Sequence, residues 1–159
     1  MTRMPPRVPV TAYVALGANL GDAAAAVRQA LQALGTLPAT QCTRCSSLYR
    51  TAPVDAGGPD FINAVAEVST GLSAPELLRA LQALEQDAGR ERPYRHAPRT
   101  LDLDLLLYGD GRIDSPALTL PHPRMGQRAF VMVPLAEIAP HWRAAARDPA
   151  LAGQRIERL

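Results

Sequence analysis

Lysine is absent from this chain: all 17 basic residues are arginine. A Walker A loop needs Gly-Lys-Ser/Thr to cradle a phosphate chain, so that mechanism is excluded. Schiff-base chemistry and lysine general bases are excluded with it. Any phosphate clamp must use arginine, whose planar fork takes phosphate oxygens in pairs. No Gly-x-Gly-x-x-Gly fingerprint occurs either, although Gly17-Ala18-Asn19-Leu20-Gly21-Asp22 forms a glycine-bounded turn. Cysteine is scarce: Cys42 and Cys45 make one Cys-x-x-Cys, with no second pair to complete a zinc site. Their surroundings, residues 40–49, read as extended, which puts positions three apart on opposite faces. The expectation is therefore two buried or half-buried structural thiols. No apolar stretch approaches the ~20 residues of a membrane span. Met1 to Val10 lacks the apolar centre of a secretory signal, so a cytoplasmic protein is expected. A net charge of +2 is too small to argue for nucleic acid.

What is present describes one globular domain. The 159 residues are 47% hydrophobic and 20% charged, enough to bury a real core. One domain is expected over 1–159, with 1–10 and 143–159 as flexible or peripheral tails. Thr11 to Gly17 reads as a buried strand. Asp22 can cap a helix whose apolar stripe is Val27, Ala30, Leu31 and Leu34, ending at Gly35. Gln41 to Arg50 reads as a second strand, followed by a Pro/Gly-rich loop over 51–60. Phe61 to Ser69 is a third, with Phe61, Asn63, Val65 and Glu67 on one face. Ser73-Ala74-Pro75-Glu76 is a capping box. It opens a second helix with the stripe Leu77, Leu81, Leu84 and Ala88. Residues 109–128 are rich in turns. Ala129 to Val133 reads as a short strand and Pro134 to Ile138 as a short helix, before a polar, partly helical tail. Strand–helix–strand–strand–helix–strand is the split βαβ, ferredoxin-like α+β plan with a C-terminal extension. It implies an antiparallel sheet with both main helices on one face. The other face is left for loops and ligands.

The chemistry concentrates around Leu101 to Tyr108. Leu101, Leu103, Leu105 and Leu107 alternate with other residues, which is strand periodicity. Asp102 and Asp104 then stand side by side, about 6.6 Å apart along the strand, on the face opposite the leucines. Adjacent carboxylates repel unless a cation lies between them, and a compact oxygen site suits Mg²⁺ with phosphates completing its shell. A solvated edge strand is the plain alternative. The loop before the strand carries Arg90, Arg92, Arg95 and Arg99. The segment after it runs Leu120-Pro121-His122-Pro123-Arg124-Met125-Gly126-Gln127-Arg128-Ala129-Phe130. Metal-binding acids flanked by arginines are what phosphoryl transfer requires. A metal-dependent phosphodiesterase and a non-catalytic ligand-binding module are the competing readings. The first would want a broad basic surface. The second would leave the aspartates without a cation.

Five segments in combination resemble a known family. They are Ala15-Leu16-Gly17-Ala18-Asn19-Leu20-Gly21-Asp22, Ser47-Leu48-Tyr49-Arg50-Thr51, Phe61-Ile62-Asn63-Ala64, Pro98-Arg99-Thr100-Leu101-Asp102-Leu103-Asp104, and Leu120-Pro121-His122-Pro123-Arg124-Met125. From about Tyr13 to Pro140 the chain is similar to the 6-hydroxymethyl-7,8-dihydropterin pyrophosphokinases of folate biosynthesis. The resemblance implies a ferredoxin-like enzyme that moves pyrophosphate from ATP to the pterin hydroxymethyl, releasing AMP, with two Mg²⁺ ions. It implies that Asp102 and Asp104 hold the metals, and that Asp102 also meets the substrate. Asn63 would read the pterin edge, Phe61 and Phe130 would sandwich the ring, and backbone groups of Thr51 and Val54 would contact it. Gln82, Glu85, Arg92, Arg95, Arg99, His122 and Arg128 would contact ATP, with Thr119 and the backbone near Leu105 at the adenine. Arg90, Arg92 and Arg99 would join the aspartates in catalysis. One difference stands out: Arg95-His96-Ala97-Pro98-Arg99 occupies the place of a common Arg-Trp-Gly-Pro-Arg, which bears on loop closure. A monomer handling small molecules, with neither nucleic acid nor membrane as partner, is expected.

Overall fold

The computed structural model describes residues 8–53, 58–89 and 101–159. Val54, Arg90, Arg92, Arg95 and Arg99, together with the His96-Ala97 difference, lie outside the described residues. The β-rich segment β1 (Val10–Ala18) leads through a turn whose Gly21 has φ 57°, a conformation that favours glycine. Asp22 then caps α1 (Ala23–Leu34), its Oδ1 accepting the Ala25 N–H at 3.1 Å. Val27, Ala30 and Leu34 of the expected stripe are buried. After β2 (Thr40–Cys45), β3 (Tyr49–Thr51) and β4 (Phe61–Thr70) comes α2 (Ala74–Gly89). Its capping box forms as expected: Ser73 Oγ accepts the Glu76 N–H at 3.2 Å, and Glu76 Oε1 accepts the Ser73 N–H at 2.9 Å. β5 (Asp102–Tyr108) completes the split βαβ unit. The rest adds a small hairpin, β6 (Ile113–Asp114) with β7 (Thr119–Leu120), then α3 (Ala129–Ile138), α4 (Arg143–Ala146) and β8 (Ile156–Arg158).

The main sheet has 6 strands in the order β5-β1-β4-β3-β8, with β2 also paired to β4. All its pairings are antiparallel. One face carries α1 and α2 over a core of Val14, Leu16, Ala64, Val68, Leu103 and Leu105, closed by Val27, Leu34, Leu77 and Leu81. Each such buried leucine or valine contributes about 1.5–3 kcal/mol.

The structure departs from the sequence expectations in four places. The strand expected over 41–50 is two strands, because the ladder to β4 passes through a side chain at Ser46. Its N–H donates to the Val65 carbonyl at 2.9 Å while its Oγ accepts the Val65 N–H at 2.9 Å. A bulge at Thr43 pairs Cys42 with Val68 and Arg44 with Glu67, so Cys45 faces Ala66. Val68 and Ala66 share a face, so Cys42 and Cys45 do too, contrary to the alternation expected of an unbroken strand; Cys42 is half-buried as expected, but Cys45, at the end of its strand, is exposed. A second bulge lies in β5: Val14 pairs with Leu105 but Tyr13 with Leu107, leaving Leu106 as the extra residue. Beyond it the faces exchange. Leu107 packs on the α3 side and Tyr108 on the α1/α2 side, its hydroxyl donating to the Leu72 carbonyl at 2.5 Å.

The fourth departure bears most on function. Ala129 to Ile138 is one helix, not a strand and a helix, and it covers part of the face expected to be free. Val131, Met132 and Leu135 pack on Ala15, Val65 and Leu106, and Leu151 of the tail closes the same cluster. A helix buried on so many sides has no polar face, so its period is invisible in the sequence. The tail holds it in place. Gln154 Oε1 accepts the Ala129 N–H at 2.9 Å and its Nε2 donates to the Gln127 carbonyl at 2.8 Å. β8 extends the sheet beside β3, pairing Thr51 with Ile156. Among the described residues no helix is long and apolar enough to cross a membrane.

Candidate functional site

On the face that α3 half covers, one end of the sheet stays open. There Asn63 of β4, Gly17 of β1 and Asp102 of β5 are direct cross-strand neighbours, and Val65, Ala15 and Asp104 make the next row. Small residues on the central strand thus form a low floor between an amide and a carboxylate pair. Two strand spacings separate Asn63 from Asp102, about 9.6 Å between backbones. Around this floor lies a cleft of about 780 Å³. Thr51, Phe61, Asn63, Gln82, Glu85, Asp102, Asp104, His122, Arg128 and Phe130, all nominated from the sequence, line it. Leu105 and Thr119 do not. Leu105 turns into the α1/α2 core, and Thr119 sits half-buried in the small hairpin.

Each wall has a local cause. Phe61 opens β4, and Asn63 follows two residues later on the same face. The Asn63 Nδ2 donates to Thr51 Oγ1 at 2.6 Å, and both side chains are buried at 4% exposure. On the other side, Asp102 is exposed and Asp104 half-buried. The strand that bears them has one edge against β1. On its outer edge the Leu103 N–H, between the two aspartates, is accepted by Glu85 Oε2 at 2.9 Å. Further along, the Leu106 carbonyl accepts the His122 N–H at 2.9 Å. Glu85 on α2 and the His122 segment therefore fasten the carboxylate strand by groups an edge strand would leave to water.

His122 faces Asp104 with Arg128 and Arg124 nearby. Its pKa lies below the ordinary 6.5: burial lowers it most, the two arginines lower it further, and Asp104 opposes them. The imidazole is thus neutral at pH 7. Its Nδ1 accepts the Arg124 N–H at 3.2 Å, which leaves Nε2 to carry the ring proton and donate. The Arg128 guanidinium sits 5.4 Å from the centre of the Phe130 ring, a cation–π contact that holds it at the cleft wall.

The donor set decides which metal could fit. Among the described residues no group of three or more His, Cys, Asp and Glu side chains is arranged around a common point, so a closed structural zinc site is absent there. Two adjacent carboxylates, with room for water and phosphate oxygens, suit a hard, partly hydrated cation of the Mg²⁺ type. Of the lining residues not nominated from the sequence, Gly17 and Ala15 make the floor and Arg124 brings a further charge. Gly17 had a signal, a glycine at the end of an apolar strand.

Sheet order, capped helices and this floor define an α+β, ferredoxin-like protein with a ligand cleft of opposed amide and carboxylate walls. A family model described as 7,8-dihydro-6-hydroxymethylpterin-pyrophosphokinase (HPPK) matches residues 13–140. The 2-amino-4-hydroxy-6-hydroxymethyldihydropteridine pyrophosphokinase of Pseudomonas aeruginosa is 47% identical over 132 residues, covering 82% of each chain. The protein of that name from Synechocystis sp. is 46% identical over 131 residues, 82% of this chain and 67% of the relative. A mitochondrial folate synthesis bifunctional protein from Arabidopsis thaliana is 40% identical over 156 residues, 92% of this chain and 28% of the relative. Among solved structures, a triple mutant of Plasmodium falciparum HPPK-DHPS with pteroate superposes with a TM-score of 0.62. At 13% identity over 81% of this chain, that likeness bears on the fold alone, and this chain spans 39% of that longer one. The chain belongs to the 7,8-dihydro-6-hydroxymethylpterin-pyrophosphokinase family, and so to the pyrophosphate-transferring enzymes.

Proposed function

We propose that this protein transfers the pyrophosphoryl group of ATP to the hydroxymethyl oxygen of 6-hydroxymethyl-7,8-dihydropterin, releasing AMP, as a step of folate biosynthesis. The observation that carries this reading is the row Asn63, Gly17, Asp102 across three adjacent strands. A flat bicycle laid on Gly17 reaches an amide at one edge and a carboxylate beyond the other.

In this reading Asn63 hydrogen-bonds the pterin edge, offering donor and acceptor from one group. Phe61 and Phe130 hold the ring faces, and backbone groups of Thr51 and Val54 complete the ring's contacts. Asp102 and Asp104 hold two Mg²⁺ ions, Asp102 also lying toward the hydroxymethyl group. When bound, Mg²⁺ supplies positive charge to the phosphate oxygens and favours loss of the hydroxymethyl proton. Gln82, Glu85 and Arg128 meet the nucleotide, with Thr119 and the Leu105 backbone toward adenine. His122 donates from Nε2 to a phosphate oxygen and does not act as a base, because its one lone-pair nitrogen, Nδ1, is engaged by the Arg124 N–H. Arg90, Arg92, Arg95 and Arg99 bring the guanidiniums that neutralise charge as the β-phosphorus passes to the new oxygen. The enzyme works as a cytoplasmic monomer on small molecules. Incubation with ATP, Mg²⁺ and the dihydropterin should yield AMP and the pterin diphosphate in equal amounts. Formation of ADP, or hydrolysis of a phosphodiester in its place, would contradict the reading.

A further inference from the structure

Gly17 is not a glycine for the sake of its backbone. Its φ is not among the positive values, which belong to Gly21, Gly58 and Gly109, and it sits in regular pairing on both sides of β1. A glycine at such a position weakens a strand relative to alanine and marks a close approach. What approaches is the Asn63 side chain. A Cβ built on Gly17 would lie 2.8 Å from Asn63 Oδ1, closer than real contacts allow. The other end of the same carboxamide is held by Thr51 Oγ1 at 2.6 Å. Thr51 comes from β3, opposite Phe61 and therefore diagonal to Asn63 on the same face. The amide is thus pinned at its nitrogen by a buried hydroxyl and leans its oxygen into the space that Gly17 leaves. One N–H of Nδ2 is spent on Thr51, so the oxygen and the second N–H are what Asn63 offers the cleft.

We infer that Gly17 and the Thr51 side-chain hydroxyl are specificity-determining positions: together they set the tilt of the Asn63 carboxamide and so select heterocycles with a donor and an acceptor adjacent on one edge. The inference rests on the pterin reading above, and it adds to that reading two groups that read nothing themselves. Thr51 acts as a positioning residue through Asn63. Gly17 keeps both the floor low and the amide tilted. A hydrogen-bonding site built in this way rejects a ligand lacking the matching groups far better than a hydrophobic pocket does, because a mismatch leaves buried polar groups unpaired.

The test compares Thr51→Val, Thr51→Ser and Gly17→Ala with the unaltered enzyme. Three quantities are read: KM for the dihydropterin, KM for ATP, and the ratio of kcat/KM for the dihydropterin to that for its analogue without the 2-amino group. Binding of the pterin without nucleotide is followed in parallel by fluorescence. Thr51→Val and Gly17→Ala should raise the pterin KM and Kd by about tenfold or more and shrink the discrimination ratio by a similar factor. The ATP KM should stay within about twofold, and Thr51→Ser should recover most of the loss. Should Gly17→Ala fail to fold, the Thr51 pair carries the test. An unchanged ratio in Thr51→Val, with the unaltered enzyme active, would overturn this inference and leave the pterin reading standing. A rise of both KM values in step would mean a structural role only, and would also overturn it. Absence of pterin binding and turnover in the unaltered protein would sink the pterin reading and this inference with it.

Discussion

Asp102 and Asp104 stand on one side of a strand whose other side is leucine, and nothing about a core requires them. Their neighbours on β1, Gly17 and Ala15, carry almost no side chain, so the carboxylates look onto open cleft rather than onto packing. Replacing either by alanine should cut turnover by about 10²–10³-fold, while circular dichroism and melting temperature remain close to those of the unaltered protein. Near-normal turnover in either variant would contradict their assignment as metal ligands. His122 gives a second test at this scale. Burial and two arginines favour its neutral form in the fold, so its folded pKa lies below 6.5. The neutral preference costs nothing above pH 6.5, and stability falls as pH drops below 6.5, where the unfolded chain takes up the proton first. An NMR titration should place the His122 midpoint below 6.5. A midpoint above it would mean that Asp104 outweighs burial and that the imidazole carries charge near neutrality. The aspartates were nominated from strand spacing, and Asn63, both phenylalanines and His122 through the family resemblance; the structure brings all of them to one cleft. Gly17 and Arg124 were not named as site residues, because what a glycine vacates or an exposed arginine borders is a fact of three dimensions.

Between elements, the fastening of α3 to β3 decides whether the cleft keeps its shape. Glu137, near the end of α3, accepts the Tyr49 hydroxyl at 2.5 Å, the Ser47 N–H at 2.9 Å and the Ser47 hydroxyl at 3.1 Å. Phe130 lies at the start of that helix and Thr51 at the end of that strand, so one carboxylate ties together the elements that bear both. Burial would raise the Glu137 pKa, but the bonds from Tyr49 and Ser47, with Arg158 nearby, carry it below 4.5. Tyr49 is pushed the other way, from 10.0 to about 12, first by burial and then by its bond to Glu137. The Glu137 contribution is present above pH 4.5 and is lost as pH falls through its lower folded value. The Tyr49 contribution is present below pH 10 and is lost as pH rises from 10 to about 12. Tyr13, raised to about 12 by burial and by its bond to Glu67, adds to the alkaline loss. Thermal melts across pH 9–12 should therefore show a steep fall in stability for the unaltered protein and a shallower one for Tyr49→Phe. Parallel curves would contradict the link. At this scale the sequence was read well where one face of an element is polar, as in α1 and α2 with their Asp22 and Ser73-Glu76 caps. It was read poorly where both faces are covered, as in α3. The bulges at Thr43 and Leu106 escaped as well, because one extra residue changes which face follows without changing composition.

Taken whole, the molecule is a split βαβ sheet with its two long helices on one side and a short helix, apolar but for Glu137, on part of the other. The order of elements, legible from hydrophobic periods and caps, placed β1 in the sheet's interior between β4 and β5. From that one placement the amide row and the carboxylate row necessarily end up about 9.6 Å apart. How much of the opposite face stays open was not legible, since it depends on α3 and on the Gln154 and Leu151 contacts of the tail. In the proposed reaction this open end joins a pterin to the β-phosphorus of ATP. The most direct measurement is the nucleotide product when the protein is given γ-labelled ATP, Mg²⁺ and 6-hydroxymethyl-7,8-dihydropterin. The expected products are unlabelled AMP and a pterin diphosphate that carries the label. Labelled phosphate released with ADP, or no pterin-dependent consumption of ATP, would contradict it.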